Sequence, residues 1–499
     1  MQFYKCVHAA AALSGIVAPK DLDTQSSSSV RNVAATIAHG AMSYYSGNAS
    51  APNSVDVGNV PKPYYWWVAG ALWGAMLDYY HYTKDPTYND VVIQALLAPA
   101  NVAPNFDYMP QEHANEEGND DLFFWGSAAM TAAERNFPQP NADAPPWLNI
   151  SANVFNSLVS RWDSKNCGGG MLWQIYASNP NGLTYKNSIA NGGLFQLAAR
   201  MARATGNDTY LDWAQKVWDW SVGIGIVDSH TNNVYDGVDI KTGCEQVNRL
   251  SFTYTTGVYM YGAAVLANYT GKREWADLAG NLLDGAAWFF SKQPGFENVM
   301  LEPSCEPANR CNNDMITFKG YLSRFMWQTS VMVPSMRPKI ESYLIPSAKA
   351  AAAVCTGGKD GHQCGMKWYT GSFDGKPGLG QQMCALETIQ GLLIHEAAPP
   401  LAGKDIKPIA DAAWTPIDTY TYGADGPATS KRAATSPTDQ SSASEASGVA
   451  VSGGTVSGGT VSGATVSGAT VSGAAHLGGE MMGLVLVGVA AALAPWVLA

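Results

Sequence analysis

The sequence predicts an all-α protein, an (α/α)6 toroid built from six helical hairpins, and three observations predict this fold class. From residue 30 to about 397, apolar residues recur with a period near 3.6, as in helices. The residues between the periodic stretches are typical of turns between helices and not of β-hairpins. Three stretches, 70–88, 192–210 and 257–275, repeat one order: a glycine, a helix rich in small and aromatic residues, and a polar turn before a second helix. This repeat indicates αα-hairpins.

Extending the repeat gives twelve helices. Every second helix is rich in glycine, alanine and aromatic residues, which favours burial on most sides, whereas the others are more amphipathic. We therefore expect six inner and six outer helices, with the long loops before the inner helices gathered on one face. In chain order, the predicted helices cover 30–45, 66–82, 87–98, 122–135, 148–162, 186–204, 208–221, 253–269, 273–291, 316–330, 337–354 and 380–395.

The composition is that of a large folded protein with few charges. Of the 499 residues, 46% are hydrophobic and 14% are charged, against roughly 25% charged residues in an average soluble domain. The apolar content excludes global disorder, and the formal charge of −11 disfavours nucleic acid or anionic lipid as a partner. Because the sequence shows no cysteine or histidine spacing typical of zinc, we expect neither a metal nor a cofactor.

The N-terminus is typical of a targeting signal. Residues 1–18 combine one positive charge with a short apolar run, and a polar, serine-rich stretch follows. This layout predicts a cleavable secretory signal peptide, with a buried N-terminal helix as the alternative.

The C-terminal part of the chain also differs from the helical body. Residues 424–475 form a low-complexity segment that ends in five copies of a five-residue unit, and we interpret it as a Ser/Thr/Gly-rich stalk. The apolar tail within 476–499 predicts a GPI-attachment signal, with attachment at Gly473; a transmembrane anchor of roughly 19 residues is the alternative. We expect one folded domain over 19–400, a transition to linker over 401–423, and a secreted chain held by a GPI lipid at the outer face of the plasma membrane or in a cell wall.

In a secreted protein, cysteines form disulfides and sequons can carry N-glycans. We predict disulfides that pair Cys305 with Cys311, Cys355 with Cys364, and Cys167 with Cys244. The remaining Cys384 lies in an apolar helical stretch, which favours burial over reactivity. Sequons for N-glycosylation occur at Asn48, Asn149, Asn207 and Asn268.

The segments that lead into the inner helices combine aromatic rings with carboxylates and amides, and contain few cations. Rings stack on the C–H faces of sugars and polar groups bind hydroxyls, so this pattern predicts a site for a neutral polyol. Amide and acid candidates for hydroxyl binding are Gln174, Asn187 and Asp236, with loop and cap roles as the alternative. Aromatic candidates for sugar platforms, with a core role as the alternative, are Trp66, Trp67, Trp125, Trp173, Tyr235 and Tyr254.

Two consecutive acids, Asp120 and Asp121, stand where a loop becomes an inner helix. Glycoside hydrolysis needs one ionised and one protonated carboxyl group beside the scissile bond, and neighbouring side chains at a helix start can diverge far enough to supply them. Capping of the helix is the alternative. A metal-binding acidic motif is disfavoured because the third acid of such a motif is missing.

The ordered set of motifs resembles glycoside hydrolase family 76, and in particular the fungal GPI-anchored mannan endo-1,6-α-mannosidase-like proteins of the cell wall. The resemblance covers about residues 30–395. Two positions depart from the expected pattern: Val68, where we expect a polar residue, and Leu122, where an amide commonly follows the acids. The motifs that carry the resemblance are Tyr64–Trp67, Gly118–Asp121, Phe124–Gly126, Cys167–Gly170, Trp173–Ile175, Tyr185–Asn187, Gly257–Tyr259, Phe318–Gly320 and Gly378–Cys384.

The resemblance implies an (α/α)6 catalytic domain and a retaining mechanism on α-1,6-linked mannose, with Asp120 as the nucleophile and Asp121 as the general acid/base. If water is the acceptor, the outcome is hydrolysis of mannan. If a glycan hydroxyl is the acceptor, the outcome is transfer of the mannose-containing GPI glycan of wall proteins onto β-glucan. We expect a monomer. A hypothesis of another class is a non-catalytic carbohydrate-binding wall protein whose acids only cap a helix.

Overall fold

The computed structural model describes residues 17–51, 53–141, 144–179 and 182–406. The predicted stalk, Gly473 and the segment 476–499 lie outside the described residues, as do residues 1–16 of the predicted signal peptide and most of 401–423. No helix within the described ranges is long and apolar enough to cross a membrane.

Thirteen α-helices run through the described part of the chain. Short 3-10 turns and three short strands connect them. The helices are α1 (Ser27–Met42), α2 (Trp66–Thr83), α3 (Asn89–Leu96), α4 (Pro99–Val102), α5 (Asn119–Glu134), α6 (Trp147–Val159), α7 (Ser188–Thr205), α8 (Asp208–Gly223), α9 (Thr253–Thr270), α10 (Arg273–Gly285), α11 (Phe318–Met332), α12 (Arg337–Ala353) and α13 (Leu379–Gln390).

Six of these helices form a closed ring. Helix α2 packs against α5, α5 against α7, α7 against α9, α9 against α11, and α11 against α13, and α13 returns to α2. The other long helices cover the ring from outside, for example α6 on α5, α8 on α7 and α10 on α9. All residues of α5 are buried. This arrangement confirms the predicted all-α (α/α)6 toroid, with the glycine- and aromatic-rich helices inside.

Glycine permits the close approach of neighbouring inner helices. A Cβ atom at Gly192 of α7 would lie 2.5 Å from the ring of Tyr259 of α9, well inside van der Waals contact. The ring instead occupies the space that a side chain at residue 192 would take. The helix loses intrinsic propensity at this position, about 1 kcal/mol relative to alanine, and the buried aromatic surface offsets that cost.

Helices that overlap all twelve predicted ones are present, and α4 is an additional short helix. Most ends lie within three residues of the prediction, and the largest differences are the earlier ends of α10 and α13, which are each followed by a 3-10 turn. The chain before α7 is not helical: β1 (Tyr185–Asn187) pairs antiparallel with β2 (Gly237–Asp239), which pairs with β3 (Val247–Asn248). Helix α10 ends at Gly285, and a 3-10 turn follows because Phe290 pairs with Met300 in an isolated bridge. The start of α7 thus reflects pairing with a segment about 50 residues away, and the end of α10 reflects pairing of Phe290 with Met300, ten residues further along the chain.

The three predicted disulfides are present, and Cys384 is a buried free thiol. The sequons differ in accessibility. Asn48, Asn207 and Asn268 are exposed. Asn149 is 2% exposed within α6, so this sequon is not available to a glycan in the folded protein.

Candidate active site

A cavity of about 530 Å³ opens at the face where the inner helices α2, α5, α7, α9 and α11 begin. This volume is typical of sites for small ligands. The predicted site residues that line it are Trp67, Asp120, Asp121, Trp173, Gln174, Asn187, Asp236 and Tyr254.

Asp120 and Asp121 form the first turn of α5 at the base of the cavity, and they are 8% and 7% exposed. The Gly118 N–H donates to Asp121 Oδ2 at 2.5 Å, so Asp121 also caps the helix. The Asp121 N–H donates to Asp120 Oδ1 at 3.1 Å. Capping and a cavity-facing role therefore coexist in this pair.

Gly118 sets the position of the two acids. A Cβ atom there would lie 2.4 Å from Asp120 Oδ1 and 3.0 Å from Asp121 Oδ2, so only glycine leaves room for both carboxyl groups. The next residue is tied to the opposite wall: the Asn119 N–H donates to the Trp173 carbonyl at 2.9 Å, and its side-chain amide donates to the Leu172 carbonyl at 2.8 Å.

The two acids have different proton affinities. Burial raises the pKa of Asp120 to about 7, and the hydrogen bond from Asn187 opposes this rise. Burial raises the pKa of Asp121 well above its ordinary value, and the neighbouring Asp120 charge raises it further. Burial therefore favours the protonated form of both carboxyl groups, and the hydrogen bond from Asn187 opposes this at Asp120.

Asn187 links the first of these acids to α7. Its Nδ2 donates to Asp120 Oδ2 at 3.0 Å, while its Oδ1 accepts from the Ala190 N–H at 3.1 Å and caps the helix. Because the oxygen is used by the cap, the nitrogen must face Asp120. A donor in this position favours the ionised form of Asp120.

Two further acids, Asp236 and Asp314, line the cavity. Asp314 accepts from Trp67 Nε1 at 2.9 Å, and its charge contributes to raising the pKa of both Asp120 and Asp121. Asp236 accepts from the Tyr185 hydroxyl at 2.6 Å and from the Asn248 amide at 3.0 Å through the same oxygen, Oδ2. Burial raises the pKa of both Asp236 and Asp314.

Aromatic rings form much of the remaining wall. The ring of Phe124 lies 4.6 Å from that of Trp67. Tyr254 and Phe318 stack with centroids 3.7 Å apart and planes 3° from parallel. All four line the cavity, which gives it the flat apolar surfaces that stack on sugar rings.

Three predicted aromatic platforms do not line the cavity. Trp66 stacks on Trp125 at 5.0 Å and donates its Nε1 to Asn101. Trp125 is fully buried, and Tyr235 is 7% exposed beside Asp228. Trp66 and Trp125 thus have the core role that is the alternative in the sequence analysis, whereas Tyr235 packs under Arg249 beside a loop.

Sequence reasoning did not single out Asp314, Phe124, Tyr185 and Phe318 as individual site residues, although it pointed to the segments that contain them. The signal that could have found them is their place in loops or first turns of inner helices. The two departures from the resemblance, Val68 and Leu122, are fully buried and do not line the cavity. They therefore leave the cavity wall unchanged.

A further acid, Glu117, lies directly before Gly118. It is fully buried, and burial raises its pKa to about 9. Within the described ranges, no group of three or more His, Cys, Asp or Glu side chains is arranged to hold a metal ion.

Comparison with known proteins gives a consistent result. The chain is 43% identical to the mannan endo-1,6-α-mannosidase DCW1 of Saccharomyces cerevisiae over 395 residues, covering 79% of this chain and 86% of the relative. It is 42% identical to DFG5 of the same yeast over 402 residues, covering 80% and 83%.

Solved structures agree with the fold. Dfg5 from Chaetomium thermophilum, crystallised with glucosamine, is 38% identical with a TM-score of 0.73, and the match covers 78% of this chain and 95% of that one. An inactive variant of the α-1,6-mannanase GH76A of Salegentibacter, crystallised with α-1,6-mannotriose, is 18% identical with a TM-score of 0.58. The match covers 73% of this chain and 99% of that one, and at this identity it supports the fold alone. Residues 29–404 match the family of glycosyl hydrolases numbered 76. The chain belongs to glycosyl hydrolase family 76 and is a glycoside hydrolase.

Proposed function

We propose that this protein is a retaining α-mannosidase that cleaves α-1,6-mannosyl linkages. The observation that carries the proposal is the asymmetric pair at the base of the cavity. The Asn187 amide donates a hydrogen bond that favours ionised Asp120, whereas burial and the neighbouring Asp120 charge raise the pKa of Asp121 and favour its protonated form. Retaining hydrolysis needs one ionised nucleophile and one protonated acid.

The substrate class follows from the walls and from the relatives. Among the described residues that line the cavity there is no lysine or arginine, which disfavours phosphorylated or acidic sugars. The stacked rings favour a neutral sugar. The relatives at 42–43% identity are named mannan endo-1,6-α-mannosidases, which supports α-1,6-linked mannose as the donor.

The reaction proceeds in two steps. Asp120 attacks the anomeric carbon and forms a glycosyl ester, while Asp121 gives its proton to the departing glycosidic oxygen. Asp121, now ionised, takes a proton from an incoming hydroxyl, whose oxygen displaces Asp120 from the anomeric carbon. The proton returns to Asp121 and the carboxylate to Asp120, so the pair is restored.

The acceptor in the second step decides the product. Water gives hydrolysed mannan. A hydroxyl of β-glucan gives transfer of the mannose-containing GPI glycan onto the wall polymer. The predicted secretion signal, stalk and GPI signal favour such an acceptor, because they would place a monomeric enzyme at the outer membrane face, beside the wall.

The first experiment tests catalysis. Asp120→Asn and Asp121→Asn should each abolish cleavage of α-1,6-mannan while the protein stays folded by circular dichroism. Asp277→Asn, at an exposed position on α10, is the control and should keep full activity. A fluorinated mannosyl donor should label Asp120. Unchanged activity in both cavity variants would instead support a carbohydrate-binding wall protein.

The second experiment separates the two acceptors. Purified enzyme is supplied with a GPI-glycan donor, with and without β-glucan, and the products are analysed by mass spectrometry. A covalent donor–glucan product identifies transfer, and free reducing mannose identifies hydrolysis. Initial release of the α-anomer shows retention, whereas initial release of the β-anomer would overturn it.

A further inference from the structure

A buried lysine outside the cavity wall has no part in the reaction described so far. Lys186 is fully buried in the middle of β1. Its Nζ donates to the carbonyls of Asp163, Asn166 and Gly169 at 3.2, 2.8 and 2.5 Å, and it pairs with the Asp163 carboxylate at 3.1 Å. The ammonium group of Lys186 therefore binds several points of the loop 163–170 at once, on the buried side of that loop.

The residues on either side of Lys186 point into the active site. Side chains alternate across a strand, and Tyr185 and Asn187 both line the cavity. Tyr185 binds Asp236, and Asn187 binds Asp120. The ammonium of Lys186 thus sits directly behind two cavity contacts, on the opposite face of the same strand.

The loop that Lys186 holds continues into residues 171–173, which lie beside β1, and Trp173 lines the cavity. The Asn191 side chain bonds both the N–H and the carbonyl of Met171. The Trp173 N–H then donates to the Tyr185 carbonyl at 2.7 Å, and the Trp173 carbonyl accepts from the Asn119 N–H at 2.9 Å. An unbroken set of backbone bonds therefore joins β1, the 171–173 segment and the residue before Asp120.

We propose that Lys186 is a positioning residue of the reaction: it fixes the loop 163–170 against β1 and thereby holds Trp173 and the first turn of α5 in register with Asn187. This inference rests on the proposed function for its kinetic test. The second tie on the loop, the Cys167–Cys244 disulfide, fixes a single point, whereas the ammonium fixes three carbonyls.

The kinetic test uses Lys186→Met, which keeps the buried stem and removes the charge. A displacement of about 1 Å at a catalytic group costs roughly 100-fold in rate, so kcat on α-1,6-mannan should fall about 10- to 100-fold. The control, Arg200→Met, removes another buried cation, which pairs with Glu134 and binds Ser127 and Thr131 away from the cavity. It should lose stability and keep its kcat.

Chemical rescue separates positioning from general destabilisation. In Lys186→Ala, propylammonium can fill the vacated space and restore the charge, whereas 1-propanol fills the space without charge. Saturable recovery of kcat with propylammonium and none with 1-propanol is expected. Should neither Lys186 variant fold, Asp163→Asn keeps an oxygen for the backbone N–H groups of Lys165 and Asn166. It removes the ion pair and the bond from the Asn166 amide, leaves the three carbonyl contacts of Lys186, and should give a smaller decrease in kcat.

Hydrogen exchange tests the inference without any substrate. The amides of Trp173 and Asn119 should exchange at least tenfold faster in Lys186→Met, and propylammonium should slow them again in Lys186→Ala. Faster exchange confined to 163–170, with Trp173 and Asn119 unchanged, would overturn the positioning role. If the wild-type enzyme cleaves no α-1,6-mannan, the proposed function fails while this measurement still decides the role of Lys186.

Discussion

Asn187 donates its side-chain nitrogen to Asp120 at 3.0 Å while its side-chain oxygen caps α7 through the Ala190 N–H. The cap fixes the orientation of the amide, so the group that faces Asp120 can only donate. A carboxylate accepts such a bond and a protonated oxygen would oppose it. Secondary structure in α7 therefore selects the ionisation state of an acid on α5.

Replacing Asn187 by serine should shift the acid limb of the pH–rate profile upward. Serine retains the helix cap, but its side chain is one bond shorter than the amide that contacts Asp120 at 3.0 Å, which withdraws the donor from Asp120. Since this bond lowers the pKa of Asp120, its loss raises that pKa from about 7, by about one unit. The ionised nucleophile then appears only at higher pH, and kcat/KM at pH 5.5 should fall about tenfold. An unchanged acid limb would mean that Asp120 does not control it.

Replacing Asp314 by asparagine should shift the same limb in the opposite direction. The Asp314 charge raises the pKa of Asp120 and Asp121, so neutralising it lowers both values. Asparagine still accepts from Trp67 Nε1, which preserves the local geometry. Both limbs of the kcat/KM profile should therefore move to lower pH. If kcat/KM instead falls by the same factor at every pH, Asp314 contributes to substrate contact and not to the pKa values of the pair.

Gly118→Ala should nearly abolish turnover without unfolding the protein. The added Cβ atom would lie 2.4 Å from Asp120 Oδ1 and must displace that carboxyl group, with an expected loss of about 100-fold or more in kcat. Gly280→Ala on the outer helix α10 is the control, because nothing lies within 4 Å of its Cβ position. It should keep full activity and gain up to about 1 kcal/mol of stability. Comparable kcat in both variants would contradict the steric argument.

The helices of this fold are predictable from the sequence because each depends on a local pattern. The period near 3.6 and the turn at each helix end are enough to find all twelve. The strand before α7 is not predictable in this way. Lys186 and Asn187 pair with Val238 and Gly237, about 50 residues away, and the local sequence shows no alternation long enough to reveal it.

The site is only partly predictable for a related reason. Asp120 and Asp121 are adjacent in sequence, so their pairing is visible. Asp314 comes beside them only when the ring closes. Trp66 and Trp67 are neighbours in sequence, but successive residues on a helix point about 100° apart, so Trp67 faces the cavity and Trp66 the core. Composition cannot show which ring faces which way.

The double variant Asp120→Asn/Asp121→Asn should be more stable than the wild type at neutral pH. Burial raises both folded-state pKa values above the unfolded value near 3.9. The wild type is therefore penalised as pH rises from about 4 towards 7, because the unfolded chain ionises more readily than the folded one. Because asparagine cannot ionise, the free energy of unfolding of the variant does not fall in this way as the pH rises.

We expect a gain of a few kcal/mol at pH 7 for the double variant, measured by urea denaturation. The difference should be much smaller at pH 4, where the folded carboxyl groups are protonated and the unfolded ones are only about half ionised. Asp277→Asn, at an exposed position on α10, serves as the control and should show no such pH dependence. A double variant that is less stable at pH 7, or equally stabilised at both pH values, would contradict the raised pKa values. The catalytic assignment would then lose its electrostatic basis, because an acid that ionises at its ordinary pKa cannot hold the proton that the leaving oxygen needs.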